Sequence, residues 1–172
     1  YAFGASDPLG NNIFKQAKMK YMGLPDTPDG AMLDSLYFTQ WSDPDLGTYT
    51  DDYVGCDIDL SFGYVYRLDG VFNGIFNLPV PAGGYDFLQG PPDNMDIDED
   101  GDSTEFLGMT SFTYFGAGSA ISDPDLSSYS GSLQFFNLME GFLPRPEYPQ
   151  QIPFTDPSTG LETKYALSGD PT

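Results

Sequence analysis

Apolar and polar residues alternate in several short stretches of the chain, and a period of two is typical of β-strands with one face in solvent. In residues 13–22, for example, Ala17, Met19 and Tyr21 alternate with glutamine and lysine. Residues 33–41 are apolar at both odd and even positions, which predicts a central strand. The predicted strands cover residues 13–22, 33–41, 61–67, 85–88, 107–115 and 164–167.

One stretch has a helical period instead. Between residues 127 and 142 the apolar residues recur every three or four positions and predict an amphipathic helix. Its apolar stripe consists of Leu133, Phe136, Met139 and Leu143. Asp123 and Asp125 precede the helix, where negative charge is favourable, and Pro144 and Pro146 are expected to end it.

The length and composition predict a folded domain. The chain has 172 residues, of which 40 % are hydrophobic and 16 % aromatic, too many for a disordered acidic tail. Many glycines and prolines indicate frequent turns. We therefore expect a mainly β fold, an antiparallel sandwich or jelly-roll-like domain with one packed helix. Residues 1–146 are expected to form this domain and residues 147–172 an extended segment that continues into a longer, processed chain.

The charge excludes several functions. Twenty-six acidic residues stand against six basic ones, there is no histidine, and the net charge is -20. Such a chain does not suit nucleic acid or anionic membrane surfaces, and no apolar run approaches the ~20 residues of a membrane-spanning helix. Without histidine, a Ser-His-Asp triad and a His-ligated zinc site are excluded within these residues. Cys56, the single cysteine, is expected to be a buried core residue.

The densest acidic cluster predicts a calcium site. Asp96, Asp98 and Asp100 are spaced by two and followed by Gly101, like the opening of a helix-loop-helix calcium loop. That loop requires a glutamate at its twelfth position, which is Leu107 here, so a calcium-binding turn between strands is the better interpretation. Its candidate ligands are Asp96, Asp98, Asp100, Asp102 and Glu105. The alternative is a solvated acidic loop.

A second acidic cluster is less regular. Its candidate metal ligands are Asp43, Asp45, Asp51, Asp52 and Asp57. The alternative is ordinary turn chemistry, in which each carboxylate accepts hydrogen bonds from nearby backbone N–H groups.

Several sequence segments resemble a module that occurs in a known class of secreted proteins. They are similar to segments of large secreted proteins of Bacteroidota and related bacteria. The similar segments are residues 33–47, 51–57 and 60–66, followed by two shorter ones at 107–112 and 169–172. Those proteins often end in a type IX secretion sorting domain. The resemblance implies export, a cell-surface or released location and a mostly β architecture, and it implies no catalytic residues.

These observations favour a non-catalytic extracellular module, structural or adhesive, stabilised by Ca²⁺ and belonging to a larger secreted or surface-assembled protein. Its expected partners are other domains of the same chain, or further subunits or surface partners. A carbohydrate-binding module of a secreted enzyme is one alternative, with a glycan as ligand. A glycoside hydrolase fragment that uses paired carboxylates is another.

Overall fold

The structure is a computed structural model that describes residues 4, 6, 8–47, 49–67, 81–93, 105–145 and 151–169. The chain divides into two compact units, Tyr1–Leu36 and Tyr37–Thr172. The boundary expected after residue 146 lies within the second unit and stays a prediction.

The first unit contains little regular structure. A short 3₁₀ helix spans Pro8–Asn11, and the Asn12 side chain donates to the Pro8 carbonyl at 2.7 Å. The strand predicted over residues 13–22 is wrong, because residues 14–22 form neither helix nor strand. Alternation alone does not make a strand. In the described part of this unit, no neighbouring strand supplies the backbone partners.

The second unit is organised around a three-stranded antiparallel sheet. Strands β1 (Tyr53–Asp57), β2 (Phe62–Tyr66) and β3 (Gly83–Asp86) lie in the order β1-β2-β3. The strand predicted over residues 61–67 is confirmed by β2, and the one predicted over 85–88 overlaps β3 only in part. Strand β1 lies among the candidate metal ligands Asp43 to Asp57, where no strand is predicted.

Two smaller antiparallel pairs complete the described strands. β4 (Pro92–Asp93) pairs with β5 (Glu105–Phe106), and β6 (Phe154–Thr155) pairs with β7 (Glu162–Thr163).

Three further strand predictions are wrong. Residues 33–41 form no strand, and Trp41 is 59 % exposed although its indole stacks on Phe115 at 6.4 Å between ring centroids. The strands predicted over 107–115 and 164–167 reduce to one parallel bridge between Phe112 and Tyr165. Tyr114 and Phe115 pack against Phe154 and Phe135, but no continuous ladder of backbone hydrogen bonds joins the two segments.

The predicted helix is confirmed as α1 (Tyr129–Met139). Ser128 is its N-cap, and the Ser128 hydroxyl accepts a hydrogen bond from the Gly131 backbone N–H at 3.0 Å. Upstream, the Asp125 carboxylate accepts bonds from the Ser127 hydroxyl and backbone N–H, which lower the pKa of Asp125.

The helix ends earlier than the prolines predict. Gly141 has a φ of +85°, and the Phe142 N–H donates to the Asn137 carbonyl at 2.9 Å. The Gly141 N–H donates to the Leu138 carbonyl at 3.0 Å. This pair of bonds is a Schellman motif, in which a glycine with positive φ closes the last turn.

The main core lies between the helix and the C-terminal residues. It is formed by Leu138, Phe154 and Ala166, which are 4–6 % exposed. Tyr114, Phe115, Ile121, Phe135 and Leu143 pack against these three, partly buried. The predicted apolar stripe therefore omitted the most buried helical leucine. Cys56 and Val65 are buried separately, on one face of the three-stranded sheet.

The coarse prediction of a mainly β chain with antiparallel sheets and one helix is confirmed by these elements. In the residues that the structure describes, no helix is both long and apolar enough to cross a membrane.

Candidate ligand-binding groove

The three-stranded sheet has one buried face and one aromatic face. On β2, Gly63 and Val65 are buried, whereas Phe62, Tyr64 and Tyr66 alternate with them and lie on the opposite face. The rings follow one another along the strand, with centroid separations of 6.2 and 5.9 Å. A sheet face that is not packed on the core usually carries polar side chains. The three aromatic side chains on this face are therefore unusual and suggest that the face binds something.

Glycines on the neighbouring strands let these rings lie close to the sheet. Tyr64 is opposite Gly55 on β1 and Gly84 on β3. A Cβ atom added to Gly55 would lie 2.6 Å from the Tyr64 ring, and one added to Gly84 would lie 2.0 Å from the Phe62 ring. The aromatic rings thus occupy the space above the glycines, an arrangement known to stabilise glycine-containing strands.

The rings line an open groove of about 430 Å³. Four tyrosines contribute to it, namely Tyr53, Tyr64, Tyr66 and Tyr114. The Tyr53 and Tyr66 rings face each other across the strand pair at 5.7 Å, and Tyr53 is 48 % exposed. The Tyr64 hydroxyl donates to the Gly169 carbonyl at 2.5 Å, which fixes the position of that ring.

Asp52 brings a carboxylate to the same groove. Its Oδ2 accepts a hydrogen bond from the Leu46 N–H at 2.9 Å, whereas its Oδ1 is buried and has no partner in the described part of the chain. Next to it, Asp51 forms an ion pair with Arg67, whose Nη1 also donates to the Leu46 carbonyl at 3.5 Å. A buried carboxylate oxygen without a partner is costly. Asp52 contributes a carboxylate to the lining of the groove, although its Oδ1 is not exposed there.

The groove continues towards two further carboxylates. A neighbouring depression of about 330 Å³ is lined by Asp57 and Asp59 and shares Ser168 and Gly169 with the groove. Asp57 also closes the β1-β2 turn, because its Oδ1 accepts a hydrogen bond from the Leu60 N–H at 3.0 Å. The tyrosine-lined groove thus adjoins a depression that is lined by carboxylates.

The predicted metal ligands of the first cluster have separate partners where contacts are recorded. Asp51 contacts Arg67, Asp52 accepts from Leu46, and Asp57 accepts from Leu60. Among the described residues, no three Asp, Glu or Cys side chains lie together in a group that could hold a metal ion. Asp43 and Asp45 belong to this described part as well. Metal binding by Asp43, Asp45, Asp51, Asp52 and Asp57 therefore stays a prediction, and the described residues show no group of three ligands for it.

The second cluster lies mostly outside the described residues. Asp96, Asp98, Asp100 and Asp102 are among the residues that are not described, and Glu105 begins β5. Asp93 pairs with Glu105 and Pro92 with Phe106, and the Leu107 N–H donates to the Pro91 carbonyl at 2.9 Å. The two ends of the acidic loop are therefore adjacent, as the predicted turn between strands requires. The calcium site itself stays a prediction.

The expectation that Cys56 is a buried core residue is confirmed, since its side chain is 0 % exposed. Burial, with a contribution from the negative charge of Asp57, raises the pKa of the Cys56 thiol to about 12. The group is thus a neutral thiol at physiological pH rather than a nucleophilic thiolate.

Sequence reasoning missed most of the groove. The alternation in residues 61–67 predicts β2, but no strand is predicted over β1, so Tyr53 has no assigned position. The sequence does contain one signal for the groove. An alternating aromatic strand pairs well with neighbours that have glycine opposite its rings, and Gly55 and Gly84 lie in segments that could pair with it. Tyr114 reaches the groove only through the tertiary fold.

Comparison of the chain with protein-family models, with curated proteins and with solved structures gives no match.

Proposed function

We propose that this chain is a non-catalytic, extracellular structural and adhesive module of a larger secreted protein, and that it adheres by binding carbohydrate in the tyrosine-lined groove. The observation that carries this proposal is the set of four tyrosines that line one open groove together with the Asp52 carboxylate. Tyrosine combines an apolar ring face with a polar hydroxyl. It therefore suits a ligand that presents both C–H faces and hydroxyl groups, as a pyranose ring does.

The polar groups of the groove complement such a ligand. Asp52 contributes a carboxylate and Ser168 a hydroxyl to the lining of the groove, and both groups can hydrogen-bond to sugar hydroxyls. Binding sites of this kind combine a mainly apolar surface with a few polar groups that fix orientation. An open groove rather than a closed pocket favours an internal segment of a polysaccharide over a free monosaccharide.

The extracellular location and the calcium requirement belong to the same proposal. They are supported by the net charge of -20, by the adjacent ends of the second acidic loop, and by the resemblance to secreted modules. Millimolar Ca²⁺ is an extracellular condition, and weak extracellular sites have Kd values on the order of 10⁻⁴ to 10⁻³ M.

A finer fold is part of the proposal too. We place the sheets in a sandwich or jelly-roll-like arrangement, since the buried face of the three-stranded sheet is covered by other residues of the second unit. A Cβ atom added to Gly63 would lie 2.8 Å from the Phe112 ring, which therefore packs directly on β2.

Binding of labelled protein to a glycan array, followed by calorimetry on the best polysaccharide, tests the groove. Tyr66→Ala should weaken binding by about tenfold or more, the equivalent of ~1.4 kcal/mol. Tyr129→Ala is the matched control, because Tyr129 is 80 % exposed and lies outside the groove. A Gly55→Val variant should also weaken binding, because its side chain would displace the Tyr64 ring.

Three outcomes would overturn the proposal in different ways. A blank array would exclude carbohydrate as the ligand, and equal binding by the Tyr66→Ala variant would place the ligand elsewhere. Release of reducing sugar that disappears in an Asp52→Asn variant would identify a hydrolase instead.

A further inference from the structure

We propose that residues 16–22 of one molecule add as a fourth strand to the open edge of β3 in a second copy of this chain. This self-association is independent of the groove and goes beyond the carbohydrate-binding proposal.

The donor segment is exposed and has no backbone partner in the described part of the chain. Residues 16–22 are exposed throughout, with Met19 at 66 % and Met22 at 76 %, and they form neither helix nor strand. No hydrogen bond of these residues is recorded among the described contacts. The segment nevertheless retains the period-two alternation of a strand, so it has the pattern of a strand without the pairing.

The acceptor is the outer edge of β3. Among the described strands, β3 ends the sheet order β1-β2-β3, and all four of its residues are exposed. The opposite edge of the sheet is partly covered, because the Cys56 N–H donates to the Leu167 carbonyl at 3.2 Å and the Gly169 N–H donates to the Cys56 carbonyl at 3.0 Å. An open strand edge is a template for pairing with another chain.

The hydrogen-bond register shows which groups of β3 face outward. The Phe87 N–H donates to the Ser61 carbonyl at 3.3 Å, so this pair is hydrogen-bonded. Bonded and non-bonded pairs alternate in an antiparallel ladder. Tyr85 therefore bonds to β2, whereas the backbone N–H and C=O groups of Gly84 and Asp86 are directed away from β2.

Charge complementarity selects a second copy as the partner. Residues 1–36 contain three lysines and four aspartates, a net charge of -1, so residues 37–172 carry the remaining -19 of the total of -20. All three of those lysines, half of the basic residues of the chain, lie between residues 15 and 20. Paired as a strand, Lys18 and Lys20 share one face, and β3 presents Asp86 on its aromatic face. The apolar face of the segment, with Met19 and Tyr21, then lies on the side of Tyr85.

Two variants separate donor from acceptor. Lys20→Pro removes a backbone N–H that faces β3 in an antiparallel pairing, because Lys20 then lies on the same face as Asp86 and belongs to a bonded pair. Met32→Pro is its control at a position that is 91 % exposed outside the segment. Asp86→Pro removes an outward donor of β3 while leaving the bonds to β2. Asp86→Lys is the second acceptor variant, in case the proline variant fails to fold. It keeps the backbone N–H group and repels the lysines of the donor segment.

Sedimentation velocity over a wide concentration range, with circular dichroism to verify folding, is the experiment. The wild type and Met32→Pro should associate reversibly, and each of the other variants alone should raise the dissociation constant about tenfold or more. Mixing Lys20→Pro with Asp86→Pro should restore dimers, because the first retains an intact acceptor edge and the second an intact donor segment.

A wild type that stays monomeric at every concentration would overturn the proposal. Association that persists unchanged in the folded variants would place the interface elsewhere. Hydrogen-exchange protection of residues 16–22 that does not depend on concentration would show pairing within one molecule instead.

Discussion

The glycines at positions 55 and 84 determine how the aromatic face of the sheet is built. A larger residue opposite Tyr64 would lift the ring from the strand, since even a Cβ atom at Gly55 would lie 2.6 Å from it. By contrast, a Cβ atom at Gly83 would make an ordinary contact of 3.6 Å with Val65. Glycine is thus required where a ring lies over the backbone and is not required elsewhere on the same strand.

The Cys56 thiol should be unreactive in the folded protein. Because its pKa is raised to about 12, almost none of it is thiolate near pH 8. Iodoacetamide labelling followed by mass spectrometry should modify Cys56 slowly in the native protein and rapidly in guanidinium. Rapid labelling of folded protein would contradict the buried position.

The raised pKa of Cys56 also makes the stability of the fold depend on pH. A thiol whose pKa is higher in the folded state favours folding most below its unfolded pKa of about 8.5. The contribution is lost progressively as the pH rises from there towards 12. A Cys56→Ser variant, whose hydroxyl does not titrate in this range, should lack this alkaline loss.

At the level of elements, α1 is defined by its two ends as much as by its apolar face. The Ser128 hydroxyl caps the first turn, the Asp125 carboxylate holds Ser127 just before the helix, and Gly141 closes the last turn. The helical period predicted the helix, whereas its C-terminus depended on a glycine with positive φ rather than on the prolines. Leu138, the most buried leucine of the helix, faces the core only because the C-terminal residues pack there.

Gly141→Ala should destabilise the fold by about 2 to 3 kcal/mol. Positive φ disfavours any residue with a Cβ atom, and here that atom would lie 2.7 Å from Lys164 Cβ and 3.1 Å from Lys164 Cα. Gly118→Ala is the matched control, because φ is +76° there and the space around it is open. It should cost only about 1 kcal/mol, for the backbone alone. Urea unfolding curves measure both, and equal losses would show that the contact with Lys164 relaxes freely.

At the level of the whole molecule, a small described core coexists with many exposed apolar side chains. Five hydrophobic residues are buried among those described, whereas Met32, Leu126 and Tyr129 are each at least 80 % exposed. A chain with a net charge of -20 can stay in solution despite such exposure, because like charges keep the molecules apart. This exposed apolar surface is what the proposed assembly with partners would cover.

Calcium should stabilise this molecule. Millimolar Ca²⁺ should raise the Tm by about 5 °C or more, equivalent to roughly 2 kcal/mol, and EDTA should reverse the increase. The physical reason is that a bound cation neutralises carboxylates that otherwise repel one another. Thermal melts with and without Ca²⁺ provide the measurement.

Paired variants locate the calcium effect. Asp98→Asn together with Asp100→Asn should abolish the increase in Tm, whereas Asp43→Asn together with Asp45→Asn tests the first cluster separately. An increase that survives both pairs, or no increase in the wild type, would remove calcium from the proposed function.

The sequence by itself determined the features that depend on local pattern. The helical period of residues 127–142 and the alternation in residues 61–67 each specify an element, because side-chain spacing along one segment decides which face is apolar. The buried state of Cys56 and the mainly β character followed from composition and pattern in the same way.

Only the tertiary structure decided which alternating segments become strands. Residues 13–22 and 33–41 have strand patterns but no strand, whereas Tyr53–Asp57 is a strand within an acidic segment. A strand exists through backbone bonds to a neighbour that is distant in sequence, and no local pattern encodes that neighbour. The groove depends on the same pairing, because Tyr53, Tyr64 and Tyr114 meet only when three separate segments are brought together by the fold.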